Sequence, residues 1–111
     1  MTTVPFAERA DVSMNKLRDY CLNPLHEEGR HKARVFAARL GMTAGDRLAL
    51  RGLLLRAVLT EQATLSFRDQ YGQRYAVDFS LVWQGRRADL RSAWILERGS
   101  DTPRLTACYV L

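Results

Sequence analysis

The apolar residues of this chain change period once, near Thr60, and that change restricts the fold more than any other feature. Before Thr60 they recur three and four residues apart, as on helix faces. After it they recur at every second residue, as in strands with one side buried. Helices come first and strands second, with no alternation between them. The order points to α+β and away from a parallel, doubly wound sheet.

Ser13 is placed to cap a short helix, MNKLRDYCL, with Leu17, Tyr20 and Cys21 on one side. Asn23-Pro24 stops this helix or starts the next, since Pro suits a first turn and disfavours helix in the residue before it. A second helix is expected to run to about Leu40, with Ala33, Phe36, Ala37 and Leu40 at core spacing and Gly41 as its end. Thr43 then caps a third helix, with Asp46 as capping-box partner. Its expected stripe is Leu48, Leu55 and Leu59, widened by Leu54 and Val58.

Four strands follow, separated by the turns QYGQ, QG and GSDTP. RYAVDFSLVW places Tyr75, Val77, Phe79, Leu81 and Trp83 on one face. RADLRSAWIL turns Ala88, Leu90, Ser92, Trp94 and Leu96 inward, and RLTACYVL turns Leu105, Ala107 and Tyr109 inward against Arg104, Thr106 and Cys108. The expected architecture is three N-terminal helices packed on one face of a four-stranded antiparallel meander, the other face open to water. A length of 111 residues fits a single domain, 1–111, in which residues 1–12 read as a loosely ordered lead-in.

Charge narrows the partner class. The chain has 17 basic and 12 acidic residues, net +5, and all but Lys16 and Lys32 of the basic ones are Arg. The guanidinium fork matches phosphate or carboxylate, so nucleic acid or an acidic protein is the expected partner. An Arg-rich composition inherited from a GC-rich genome is the plainer reading. The longest apolar run, around Leu53-Leu54-Leu55, is far short of a bilayer span, so no membrane partner is expected. No basic segment followed by an apolar one opens the chain, and two distant cysteines make no disulfide framework; the expectation is a reduced, cytoplasmic protein.

The open sheet face should display Arg68, Arg74, Arg87, Arg91 and Arg104, tempered by Asp78 and Asp89. Such a face can carry a phosphodiester backbone, or it can simply be a solvated surface whose Arg and Asp pair across strands. Chemistry concentrates in LNPLHEEGRHKARVF, residues 22–36, which holds both histidines. On one unbroken helix Glu27–His31 and Glu28–Lys32 form ordinary ion pairs worth about 0.2–0.5 kcal/mol each. His26 and His31 would then stand about 140° apart around the axis, which argues against a two-histidine metal site, and no metal or other cofactor is expected. If Gly29 breaks the run, His26 lies on a loop ahead of the helix, near Arg30 and Lys32, at an end suited to anions. A histidine beside cations could then cleave RNA through its own 2′-hydroxyl without metal. No Walker loop, dinucleotide fingerprint or G-x-S-x-G elbow is present.

Leu17 and Tyr20, then Leu22-Asn23-Pro24, His26, Gly29, Lys32-Ala33, Phe36 and Leu40-Gly41 form a pattern that continues in Asp69, Tyr71-Gly72-Gln73-Arg74-Tyr75, Val77-Asp78, Arg91, Ala93-Trp94, Asp101, Pro103, Leu105 and Tyr109. This pattern, over residues 14–111, resembles a small bacterial family of uncharacterised domains found alone or as C-terminal modules of polymorphic toxins, often beside a small partner gene. The order of helices and meander is similar to the barnase and RelE-type ribonuclease fold. The resemblance brings His26, Lys32, Arg74, Asp78, Arg91 and Tyr109 forward as site candidates. With the basic charge, the helix–meander order and the His–Lys cluster, the expected function is a toxin-like, metal-independent ribonuclease, with His26, Lys32, Arg91 and Tyr109 catalytic and Arg30, Arg34, Arg68, Arg74, Arg87 and Arg104 contacting RNA. RNA and a cognate antitoxin or immunity protein are the implied partners. The competing reading is a non-catalytic binding module, an immunity protein, an antitoxin or a domain that engages an acidic partner, which could recruit that partner at a sheet edge.

Overall fold

A computed structural model describes residues 2–111. A 3-10 turn, Ala7–Arg9, precedes α1, Met14–Lys16, which runs into a π-turn, Leu17–Cys21. Two longer helices follow, α2 (Arg30–Leu40) and α3 (Arg47–Thr60), with a 3-10 turn at Ala44–Asp46 between them. Strands β1 (Ala63–Arg68), β2 (Gly72–Trp83), β3 (Arg86–Glu97) and β4 (Arg104–Val110) form one antiparallel sheet in sequential order. The chain is therefore α+β, helices before strands. Among the described residues no helix is long and apolar enough to cross a membrane.

Local sequence sets the boundaries. The Ser13 hydroxyl accepts the Lys16 N–H, as an N-cap should. Thr43 and Asp46 form the expected capping box, the Asp46 carboxylate accepting the Thr43 N–H at 3.0 Å. Gly41 ends α2 in the left-handed region, φ 69°, where a Cβ would be strained. The second helix starts at Arg30, later than the Pro24 region. The Asn23 side chain accepts the Leu25 N–H in an Asx turn, which competes with helix there.

Trp94, Phe36, Leu17, Leu22, Leu40, Met42, Leu50, Leu54 and Leu90 are the largest buried side chains, and they share one apolar cluster with Val77, Leu81, Leu105 and Cys108. Helix α3 buries Leu50, Leu54, Ala57 and Val58, whereas Leu48 and Leu59 are 69% and 50% exposed. Leucines surround α3 on every side, so spacing alone does not select its inward face.

Three expectations are corrected. The lead-in is tied down: Val4 and Val12 are buried, the Ala63 N–H reaches the Thr2 carbonyl, and Asp11 bridges β4 through Pro103 and Leu105. Met1 lies outside the described residues. In β4 the register passes from Ala93–Ala107 to Trp94–Leu105, leaving Thr106 as a bulge that reverses the alternation. Cys108 therefore faces the core, paired with Ser92, and Tyr109 faces away, paired with Arg91. A second irregularity, between Leu65 and Arg68, pairs Arg68 with Gln73 and so puts it on the side opposite Arg74.

Candidate functional site

The reversal in β4 is what assembles the site. It brings Tyr109 onto the sheet face that carries Arg91 and Asp78, which are cross-strand partners in β3 and β2. Arg91 donates two hydrogen bonds of 2.8 Å to the Asp78 carboxylate. Asp78 foremost, with the Tyr109 side chain adding, stabilises the charged guanidinium and raises its pKa further above the ordinary Arg range. In return the Arg91 hydrogen bond holds Asp78 below the ordinary carboxylate range, opposed in part by desolvation.

Helix α2 packs beside β3 and β4. β4 is the last strand of the sheet, so a long side chain can reach past its outer edge. Lys32 does so, its Nζ lying 4.3 Å from the Tyr109 ring centroid in a cation–π contact. Lys16 lies at the same edge, donating to the Thr106 carbonyl at 3.3 Å and sitting 5.3 Å from the Tyr20 ring. Tyr20 stacks on His26, with ring centres 4.8 Å apart and planes 15° from parallel. Two tyrosine rings, each with a lysine over it, thus flank the edge of β4. Cations and aromatic rings gather at one edge of the sheet.

His26 occupies the loop ahead of α2, but its ring is already engaged. Nδ1 accepts the N–H groups of Glu28 at 3.1 Å and Gly29 at 3.0 Å, while its carbonyl accepts the Arg30 N–H. His26 is thus an imidazole cap on the turn Glu27–Gly29 that leads into α2. Nδ1 is the ring's acceptor in this arrangement, and both of its contacts are backbone donors. Proton uptake at Nδ1 requires releasing both backbone donors.

The remaining candidates are divided. Arg30 and Arg34 are exposed one turn apart on α2, each about 200° around the axis from Lys32, so they serve a different surface. Arg74 pairs with Asp69 at 3.1 Å and Arg104 with Glu97 at 2.7 Å. Arg87 is exposed on the Arg91 face, and no carboxylate pairs with it among the described residues. Neither cysteine suits nucleophilic work, since burial pushes both thiols up. Two members went unforeseen, Lys16 and Tyr20. Their i, i+4 spacing was the available signal; Tyr20 stood in the apolar stripe and in the family pattern, but without Lys16 beside it.

The chain belongs to the family described as "Domain of unknown function (DUF6883)", whose profile spans residues 3–111. No curated protein matches the sequence. Among solved structures it is similar to a chain of the "Contact-dependent growth inhibition toxin - immunity protein complex from Klebsiella pneumoniae 342". The two agree with a TM-score of 0.70 at 13% identity, over 95% of this chain and 96% of that one. At that identity the likeness is one of fold.

Proposed function

We propose that this DUF6883-family chain is the RNA-cleaving member of a toxin–immunity pair, working without a metal ion and with a fold of the barnase and RelE type. The observation that carries the reading is the placement of two cations, Lys32 and Arg91, around the Tyr109 side chain. The net charge of +5 and the fold likeness to a chain of a toxin–immunity complex support it.

RNA strand scission by the 2′-hydroxyl needs that hydroxyl deprotonated, the charge on phosphorus balanced and the 5′-oxygen protonated as it leaves. Lys32 and Arg91 supply the charge, at the positions where a phosphate beside Tyr109 would lie. The Tyr109 phenol is the group best placed for proton transfer. The Tyr20–His26 stack offers a surface for a neighbouring base, with His26 acting through its ring face and its cap rather than as acid or base. Arg87 and the bulge-side cation Lys16 extend the path of the strand, and Arg74 and Arg104 reach it where phosphate displaces their carboxylates.

The test is incubation of purified protein with total RNA, alongside Lys32→Ala and Tyr109→Phe. The expected result is cleavage leaving cyclic phosphate ends, sharply reduced in both variants. Undiminished cleavage in both removes these roles, and no cleavage by the unaltered chain rejects the activity.

One observation favours a non-catalytic binding module. Arg74, Arg91 and Arg104, three of the sheet arginines, already hold carboxylates, which lowers the free charge available to RNA. Expression with the adjacent gene separates the readings: a toxin arrests growth and its neighbour rescues it, whereas an immunity protein does the rescuing.

A further inference from the structure

On the side of α2 away from Lys32, a groove of about 580 Å³ opens between the helix and the 3-10 turn Ala44–Asp46. Its floor is apolar, made by Leu22, Ala33, Ala37, Ala38 and Met42. Ala37 and Ala38 are exposed, and alanines let a partner backbone or side chain approach α2 closely.

Its lining holds one cation, and three more arginines stand around it. Arg34 lines the groove, and Arg30 stands one turn away on the same side of α2. Arg86 reaches the end of α2, its Nη1 3.5 Å from the Ala38 carbonyl, and Arg47 bonds the Ala44 carbonyl at 2.9 Å. None of these four has a carboxylate within ion-pair distance among the described residues. The nearby Asp46 carboxylate is committed to its capping box, and Asp19 is paired with Arg18.

We propose that this groove docks an acidic, amphipathic segment of a partner protein, with an apolar side chain on the alanine floor and carboxylates on the arginine rim. Charge complementarity selects an acidic occupant, and the floor selects protein over RNA. A nucleic acid would find no stacking ring in the lining and, besides Arg34, only the Thr43 side chain as a polar partner. The proposal rests on the partner half of the toxin–immunity reading and not on its catalytic half. Lys32 projects from the other side of α2, so the docked segment need not occupy the Tyr109 site.

The test is an amide NMR titration of the full chain with a helical peptide bearing Leu on one face and Glu on the others. Expected are saturable, salt-sensitive shifts at Ala37, Ala38, Met42 and Ala44, with binding about tenfold weaker for Arg34→Glu. A peptide with Leu replaced by Ala should also bind more weakly, and Lys32→Ala should bind unchanged. Shifts confined to the Tyr109 side, no shifts at all, or groove shifts produced by a single-stranded RNA and not by the peptide would each overturn it. Cleavage of RNA by Arg34→Glu, measured in parallel, keeps this outcome separate from that of the catalytic reading.

Discussion

Lys32 Nζ lies 4.3 Å from the centre of the Tyr109 ring, so a helix side chain and a strand side chain meet around the outer edge of the sheet. The contact uses the ring and leaves the phenol free to act toward Arg91. Tyr109→Phe therefore separates the two functions of the residue. The ring, the cation–π contact and the fold should persist, with an unchanged melting temperature and RNA affinity. The cleavage rate should fall by about 10²–10⁴-fold, the range for removing a positioned proton donor or acceptor. A Phe variant that cleaves at the native rate would leave Tyr109 only a stacking and cation-binding role.

The Asp78–Arg91 pair bears on charge more than on stability, because both side chains are nearly half exposed, 47% and 42%, and solvent screens such pairs. Asp78→Asn should change the melting temperature little. It should release Arg91 to phosphate, tighten RNA binding and steepen its salt dependence by about one counterion. Fluorescence anisotropy across a salt series reads both. The pH dependence has a fixed sign. The folded-state pKa of Asp78 is depressed, so the contribution is present above the unfolded carboxylate pKa of about 3.9 and is lost as pH falls through the lower folded value. A pair whose contribution grew on acidification would contradict this assignment.

His26 as a cap and His26 as a proton shuttle predict different rescue patterns. His26→Ala leaves the Glu28 and Gly29 N–H groups without their acceptor and should cost about 0.5–2 kcal/mol, as other lost caps do. His26→Asn offers an oxygen to those donors and should recover most of the loss in thermal denaturation. It cannot replace an imidazole in proton transfer. Cleavage restored together with stability by Asn supports the cap; stability restored without cleavage returns His26 to the chemistry.

What the sequence revealed follows from which interactions are local. The alternation Tyr75, Val77, Phe79, Leu81, Trp83 gives the inward face of β2, because a strand with one buried side writes that period directly. The capping box at Thr43 and the stop at Gly41 were readable for the same reason. The face of Tyr109 was not, because a bulge at Thr106 shifts phase through pairing with β3, which a single strand does not record. The anchoring of residues 2–12 likewise depends on strands far along the chain. Among the site residues, Lys32, Arg91 and Tyr109 do meet. Arg30 and Arg34 part from them because helical geometry, once the start of α2 is fixed at Arg30, turns them to the other side.

Gly29 ties the helix start to the stacking platform, and its replacement tests that link. Its φ of −92° is open to any residue, so the requirement is one of space. A Cβ there would lie 2.7 Å from the Tyr20 carbonyl oxygen and 3.0 Å from its ring. The carbonyl belongs to the π-turn backbone and cannot swing aside as a side-chain tip would. Gly29→Ala should therefore push the start of α2 off Tyr20, costing about 1–3 kcal/mol as overpacking does. The Tyr20–His26 stack and the reach of Lys32, three residues on, should loosen together. Glu28→Ala, at an exposed neighbour whose backbone N–H is kept, is the control and should leave stability near native. Thermal denaturation with amide NMR of residues 20–32 distinguishes the outcomes. A Gly29→Ala protein with native stability and unshifted Tyr20 and His26 signals would show that the close approach carries no constraint.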